Sequence, residues 1–275
     1  MDVNVIINNY IHQEKHSNLL LMGSKGLPML EDAIKIASFL LETKNVNNHP
    51  DYLYIHLTSK KTLGVETVEQ IIDRANLIPS IASKIVIVID DFNKMTVSAQ
   101  NKLLKTLEEN NNVIIIGIAY EDTLLPTVKS RMQKVEYSPL SESAFFSYCN
   151  EQGINNCDIS ALYYACGGIA GQIDSSNDLL EIFTKVGKCI EDNKEIELLR
   201  ILSIAKEKDF NSFYQKYEDK VGSLIAFIGR KYTNMLEKGQ LEVLPKLDVC
   251  IKNKDICTYQ AYTKDLFFEF ITDII

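Results

Sequence analysis

Residues 85–110 read IVIVIDDFNKMTVSAQNKLLKTLEEN, and this stretch decides the fold class. Ile85 to Ile89 is an unbroken β-branched run. A strand with no polar residue on either face is buried on both, which calls for a parallel sheet covered by helices on each side. Asp90 and Asp91 close the run. Thr96 then offers a helix N-cap, and Ala99, Leu103 and Leu107 follow at helical spacing on an inward face.

The same alternation extends outward. Asn18–Met22 reads as a buried strand that turns through Gly23, Ser24, Lys25 and Gly26 into a helix from about Pro28. Pro28 suits a first helical turn, and the spacing predicts Leu30, Ile34, Ala37 and Leu41 on one face. Further strands are expected at Tyr52–Leu57, Val113–Ile116 and Lys134–Tyr137, with a helix over 66–75 that turns Val68, Ile71, Ile72 and Ala75 to one side. Strand signals stop near residue 138. Helices are expected at 141–152 and 159–165, then a break at Gly167-Gly168 and helical patterning to the end, with Leu179, Ile182, Phe183 and Val186 as one stripe. The expected organisation is an α/β domain over 1–138, a small helical domain over 139–175 and a helical C-terminal domain over 176–275.

The totals exclude several classes. With 46% hydrophobic and 24% charged residues the composition is that of a soluble globular chain. No apolar run approaches the ~18 residues of a membrane span, and MDVNVIINNY is not a signal peptide. A cytoplasmic location without membrane attachment is therefore expected. A formal net charge of −8 makes the chain a poor DNA binder on its own. Its six cysteines, Cys149, Cys157, Cys166, Cys189, Cys250 and Cys257, form no CxxC pair. They read as reduced thiols rather than zinc ligands.

A strand, a glycine-bearing turn and a helix also frame a phosphate loop, G-x-x-x-x-G-K-[ST]. Here the stretch is Gly23-Ser24-Lys25-Gly26-Leu27-Pro28-Met29-Leu30. Gly23 is in place, but Pro28 stands for the second glycine, Met29 for the lysine and Leu30 for the hydroxyl residue. Pro28 has no N–H for a phosphate. Met29 has no charge and Leu30 no ligand for Mg²⁺. Glu31 and Asp32 favour the helix but repel an anion. The turn fits either a phosphate loop without its chemistry or an unrelated β-turn-α. Likewise Asp90 and Asp91 fit either the metal-shell acids of a Walker B strand or solvated and capping acids at a strand end.

The order of pieces from His49 to Tyr137 is more specific. His49-Pro50-Asp51 before YLYI, Gly64-Val65 at a helix start, the 85–110 stretch, and LLPTVKSR at 124–131 resemble the delta-prime and gamma/tau family of bacterial clamp loaders, members of the AAA+ superfamily. Leu140-Ser141-Glu142 and GGIAGQ at 167–172 resemble that family's lid, and the last hundred residues match its collar only in being helical. The resemblance implies an AAA+ sheet domain, a lid and an oligomerising collar.

The departures from the family also inform. The family's four-cysteine zinc module is absent before His49, and Met132 replaces the cysteine after Ser-Arg. The sensor 1 position falls near Ile118 or Ala119, and sensor 2 at Gln172; none of these is a nucleotide ligand. The resemblance then implies a delta-prime-type subunit inactive as an ATPase by itself. It would hold no cofactor of its own and help to load a sliding clamp onto primed DNA. Its partners would be a gamma/tau-like ATPase that binds the ATP, a delta-like subunit and, through the complex, the clamp and primer-template DNA. Arg131 would act as an arginine finger in the neighbouring subunit's ATP site, with Ser130 and Thr127 positioning it; the plain alternative is a surface arginine. Two other functions compete: a gamma/tau-like ATPase with an unusual loop, opposed by Pro28, Met29 and Leu30, and a nucleic-acid-binding module, opposed by the net charge.

Overall fold

The computed structural model describes residues 3–13, 16–57, 62–109, 112–155, 157–202, 207–259 and 263–274. Asn110, which ends the decisive stretch, lies outside them. The chain forms two compact units, residues 1–138 and 139–275.

The first unit runs α1 (Val3–Ile11), β1 (Leu19–Met22), α2 (Met29–Leu40), β2 (Tyr52–Ile55), α3 (Val65–Ala75), β3 (Ile85–Ile89), α4 (Val97–Glu109), β4 (Val113–Ala119), α5 (Pro126–Lys129) and β5 (Gln133–Glu136). The five strands form one sheet in the order β2-β3-β4-β1-β5, and every pairing is parallel. Every residue of β1, β3 and β4 is buried, as strands covered on both faces require. Edge strand β5 buries only Val135 and shows Lys134 and Glu136 to solvent. Charged residues on an edge discourage pairing with a stray strand.

Side chains alternate between two apolar layers. Leu19, Leu21, Val86, Val88, Ile114 and Ile116 pack with α1 and α2, whereas Leu20, Ile85, Ile87, Ile89 and Ile115 pack with α3 and α4. Burying each such side chain contributes about 1.5–3 kcal/mol. Val68, Ile71, Ala75, Ala99, Leu103 and Leu107 face inward as their spacing predicts.

Three local expectations need correction. The buried apolar face of α2 is Met29, Ala33, Ile36 and Ala37, followed by buried Leu41; Ala37 and Leu41 lie as expected, while Leu30 and Ile34 are only half-buried beside them. The stripe is offset because α2 starts at Met29, whose side chain enters the layer under β1. Strand β4 continues three residues past Ile116 to Ala119. Gly117 had read as its end, but a Cβ there would lie 2.8 Å from the Phe92 ring. Its small size serves packing. Finally, α1 was not expected; Ile7 and Tyr10 anchor it in the α2 layer.

The His49-Pro50-Asp51 segment has a structural job. Asp51 is fully buried and accepts backbone N–H bonds from Ser80 (2.7 Å), Ile81 (2.7 Å) and Ala82 (2.9 Å). His49 Nδ1 accepts the Asp51 N–H at 3.1 Å. Burial alone would push the Asp51 carboxyl up; the three amide donors, helped by His49, outweigh it and hold it below the usual carboxylate range.

The second unit is helical: α6 (Glu142–Glu151), α7 (Ile159–Cys166), α8 (Asn177–Glu191), α9 (Glu195–Ile201), α10 (Glu207–Tyr217), α11 (Val221–Glu237), α12 (Leu244–Tyr259) and α13 (Lys264–Ile274). Ser141 and Asp158 cap α6 and α7 by accepting the amides of Ala144 and Ala161. Gly167 ends α7 at φ +65°, a conformation that favours glycine. The unit holds two apolar clusters. Phe145, Cys149, Leu162 and Cys166 join α6 to α7, and a larger core built around Phe183, Phe227 and Phe267 joins α7 to the later helices. Both helical domains expected from the sequence lie within this unit. Lys231, almost buried, bridges Asp158 at 3.1 Å and Glu191 at 2.8 Å. All six cysteines are free thiols, and four are buried. Among the described residues no helix is long and apolar enough to cross a membrane.

Candidate functional site

The carboxyl ends of the strands carry the turn and the acids singled out in the sequence. Parallel sheets bind their ligands at this end. Gly23 donates its N–H to Ala119 O at 3.2 Å, which fixes the turn to β4. Gly26 sits at φ +92°, open to glycine and strained for other residues. The amides that follow point inward: Leu27 donates to Ser24 O at 3.3 Å and Met29 to Leu27 O at 2.8 Å. Pro28, between them, has none to give.

Apolar and internally bonded groups take the remaining positions. Met29 is fully buried in the layer of Leu19, Leu21 and Val86, and Leu30 packs beside it. Asp32, on the next turn of α2, accepts a bond from the Tyr137 hydroxyl at 3.0 Å and pairs with Lys35 at 2.9 Å. Tyr137 donates its own N–H to Met22 O at 2.7 Å, so it lies directly over the end of β1. Burial, then the Asp32 charge and hydrogen bond, push its phenol well up. A Cβ on Gly23 would lie 2.8 Å from Tyr137 Cβ and 3.0 Å from its carbonyl. The glycine that matches the phosphate motif is thus required by the close approach of the chain at residue 137.

Asp90 and Asp91 close β3. The Asp90 carboxylate accepts Tyr120 Oη at 2.8 Å, Tyr54 Oη at 3.2 Å and the Asp91 N–H at 2.8 Å. Burial, reinforced by the Asp90 charge and hydrogen bond, pushes the Tyr54 phenol up to about 12; the same causes raise Tyr120 further. Tyr54 stacks on His56, and the Lys25 ammonium lies 5.2 Å from the Tyr120 ring centre. Asp91 adopts φ +51°, a left-handed conformation that aspartate tolerates. Sequence reasoning missed Tyr120. It had considered Ile118 and Ala119, which are buried strand residues; the hydroxyl comes one residue later because β4 is longer than its apolar run.

Arg131 lies elsewhere. It follows α5 and precedes β5, whose first residue Gln133 pairs with Leu19 at the start of β1. Arg131 is therefore at the amino end of an edge strand. The turn at 23–30 is at the far end, about 13 Å away at the usual strand rise. Its Nη1 donates to Thr127 O at 2.8 Å and reaches Ser130 Oγ at 3.4 Å. Ser130 Oγ in turn donates to Thr127 O at 3.1 Å. Nε donates to Glu108 Oε1 at 2.5 Å, and Nη2 pairs with the same oxygen. Ser130 and Thr127 are both exposed and both engage Arg131. Gln100, buried on α4, holds this corner by accepting the Leu125 N–H at 2.8 Å and donating to Met95 O at 2.9 Å. Gln172 lies in a short 3-10 turn of the second unit, where its carbonyl accepts the Ser175 and Ser176 hydroxyls.

The first unit is thus a five-stranded, all-parallel sheet with helices on both faces, and the second unit is helical. A family model described as "DNA polymerase III, delta subunit" matches residues 3–141, half of the chain, and the chain belongs to that family. It is also similar to the replication factor C small subunit of Methanococcus maripaludis strain C5, 27% identical over 139 residues. The corresponding protein of Methanococcus vannielii is 25% identical over 138 residues. These matches span 49% of this chain and 42% of each relative's length. Among solved structures, a DNA polymerase III gamma subunit-related protein of Thermotoga maritima is similar over 99% of this chain and 98% of its own, with 17% identity and a TM-score of 0.49. The RuvB Holliday junction branch migration motor of the same organism is similar over 83% of this chain and 76% of its own, with 14% identity and a TM-score of 0.47.

Proposed function

We propose that this chain is a non-catalytic, delta-prime-type clamp-loader subunit. It docks beside a gamma/tau-like ATPase and offers Arg131 to the ATP held there. A delta-like subunit, the sliding clamp and primer-template DNA complete the assembly, which works in the cytoplasm. One observation carries the reading: Arg131 lies just before the edge strand β5, at the opposite end of the sheet from the chain's own turn, which suits it to another molecule's phosphate. Family membership and the similarity to replication factor C small subunits point the same way.

The chemistry of the turn supports the non-catalytic half. Phosphate transfer is catalysed by positioned cations and amide donors. Pro28 has no amide, the Met29 amide is bonded to Leu27 O and its buried side chain carries no charge, and the Asp90 oxygens already accept hydrogen bonds from two tyrosines. A Mg²⁺ ion there would compete with both phenols for those oxygens. Residues 23–30 and 90–91 thus do not suit a nucleotide and its metal. The helical unit 139–275 is read as a lid over 139–175 and an oligomerising collar over 176–275.

The test is to copurify the chain with candidate loader subunits and the clamp, then measure DNA-stimulated ATP turnover. The expected result is assembly with both wild-type and Arg131→Ala chains, and slower turnover with the variant. Equal rates would remove the finger role; hydrolysis by the isolated chain would remove the non-catalytic one.

A further inference from the structure

We infer that Glu108 is a charge latch on Arg131: its carboxylate occupies the edge of the guanidinium that a neighbour's phosphate would take, and it gives that edge up on docking. The inference rests on the reading of Arg131 as a finger offered in trans.

A guanidinium has five N–H donors in a fixed fork, and its Nε–Nη2 edge matches a carboxylate or a phosphate with two parallel bonds. Glu108 holds both nitrogens of that edge through one oxygen, with Nε at 2.5 Å. The Nη1 donors turn back to Thr127 O at 2.8 Å and Ser130 Oγ at 3.4 Å. These last bonds stay within the turn that carries Arg131 and fix the plane of the guanidinium. Among the described residues Glu108 is therefore the movable partner. It comes from α4, a different element, and is exposed.

Release costs little. The side chains of Arg131 and Glu108 are 32% and 44% exposed, and pairs this wet are weak and screened by salt. A nucleotide phosphate carries more charge than one carboxylate and can use both prongs. It displaces Glu108 while Thr127 and Ser130 keep the fork aimed. Among the described residues α4 also carries the Lys102–Glu69 pair at 2.5 Å and the Lys105–Glu109 pair at 3.8 Å, and neither engages Glu108 or Arg131.

The test titrates the full chain into its ATPase partner with DNA present and follows ATP turnover for wild type, Glu108→Gln, Glu108→Asp and Arg131→Ala. Glu108→Gln keeps the shape and removes the charge. Its half-saturating concentration should fall about two- to fivefold, the scale of an exposed ion pair, with an unchanged rate at saturation. Glu108→Asp, which keeps the charge, should behave as wild type. In the isolated chain, the Arg131 Nε–H should exchange faster with water in Glu108→Gln by NMR.

A saturating rate lowered by Glu108→Gln, as Arg131→Ala lowers it, would make Glu108 a support of the finger and overturn the latch. An unchanged half-saturation or an unchanged Nε–H exchange would overturn it too. If Arg131→Ala itself equals wild type, the finger reading fails first, and the latch with it.

Discussion

The two ends of one sheet have been put to opposite uses. At the carboxyl end, Met29, Tyr137, Tyr54 and Tyr120 have turned a place suited to anions and metals into packed, self-satisfied structure. At the amino end of the edge strand, Arg131 keeps a permanent charge on a half-exposed corner, braced by Thr127 and Ser130 and paired with Glu108. Similarity of backbone shape therefore says little about chemistry. A β-turn-α can stand as architecture without the groups that hold a phosphate, while the other end of the sheet keeps one half-exposed guanidinium.

The contrast can be tested in order of expected effect. Arg131→Ala should slow hydrolysis at the neighbouring site about 10³-fold, at the low end for arginine fingers, in a single-turnover assay. Met29→Lys, which restores the motif's cation, should instead destabilise the first unit by about 3 kcal/mol in denaturant melts, because it buries an unpaired charge. Binding of ATP by that variant without loss of stability would break the contrast.

Asp51→Ala should cost about 2 kcal/mol, since three amides lose their acceptor. The pH dependence has a definite sign. A depressed folded-state pKa stabilises above the unfolded value of about 3.9, and that contribution is lost as pH falls through the folded value. Wild type should therefore lose stability in acid more steeply than Asp51→Ala. Smallest of these, Gly23→Ala should cost about 1–2 kcal/mol, because the new methyl meets the Cβ and carbonyl of Tyr137; Tyr137→Ala keeps both atoms and should not remove that penalty. A Gly23→Ala chain as stable as wild type would mean that Tyr137 does not hold the turn.

Much of this was legible in the sequence. The apolar runs at 19–22, 85–89 and 113–116 announce buried parallel strands, because only strands covered on both faces tolerate so little polarity. That Pro28, Met29 and Leu30 lack the donor, charge and ligand of a phosphate loop is equally plain. What replaced them was not legible. Tyr54, Tyr120 and Tyr137 come from three different strands or their ends and meet Asp90 and Asp32 only once the sheet is assembled. No local spacing encodes such a meeting. The same holds for Glu108, which lies 23 residues from Arg131. Helix α1 escaped notice because its short polar–apolar run has no cap or charge pattern, and packing of Ile7 and Tyr10 decides its fate.

The central claim, that the turn at 23–30 holds no nucleotide, is tested most directly by titrating Mg²⁺-ATP into the isolated full chain in a calorimeter. The account predicts no saturable heat up to millimolar nucleotide. Saturable micromolar binding that disappears when residues 23–30 are replaced by an unrelated turn would contradict it.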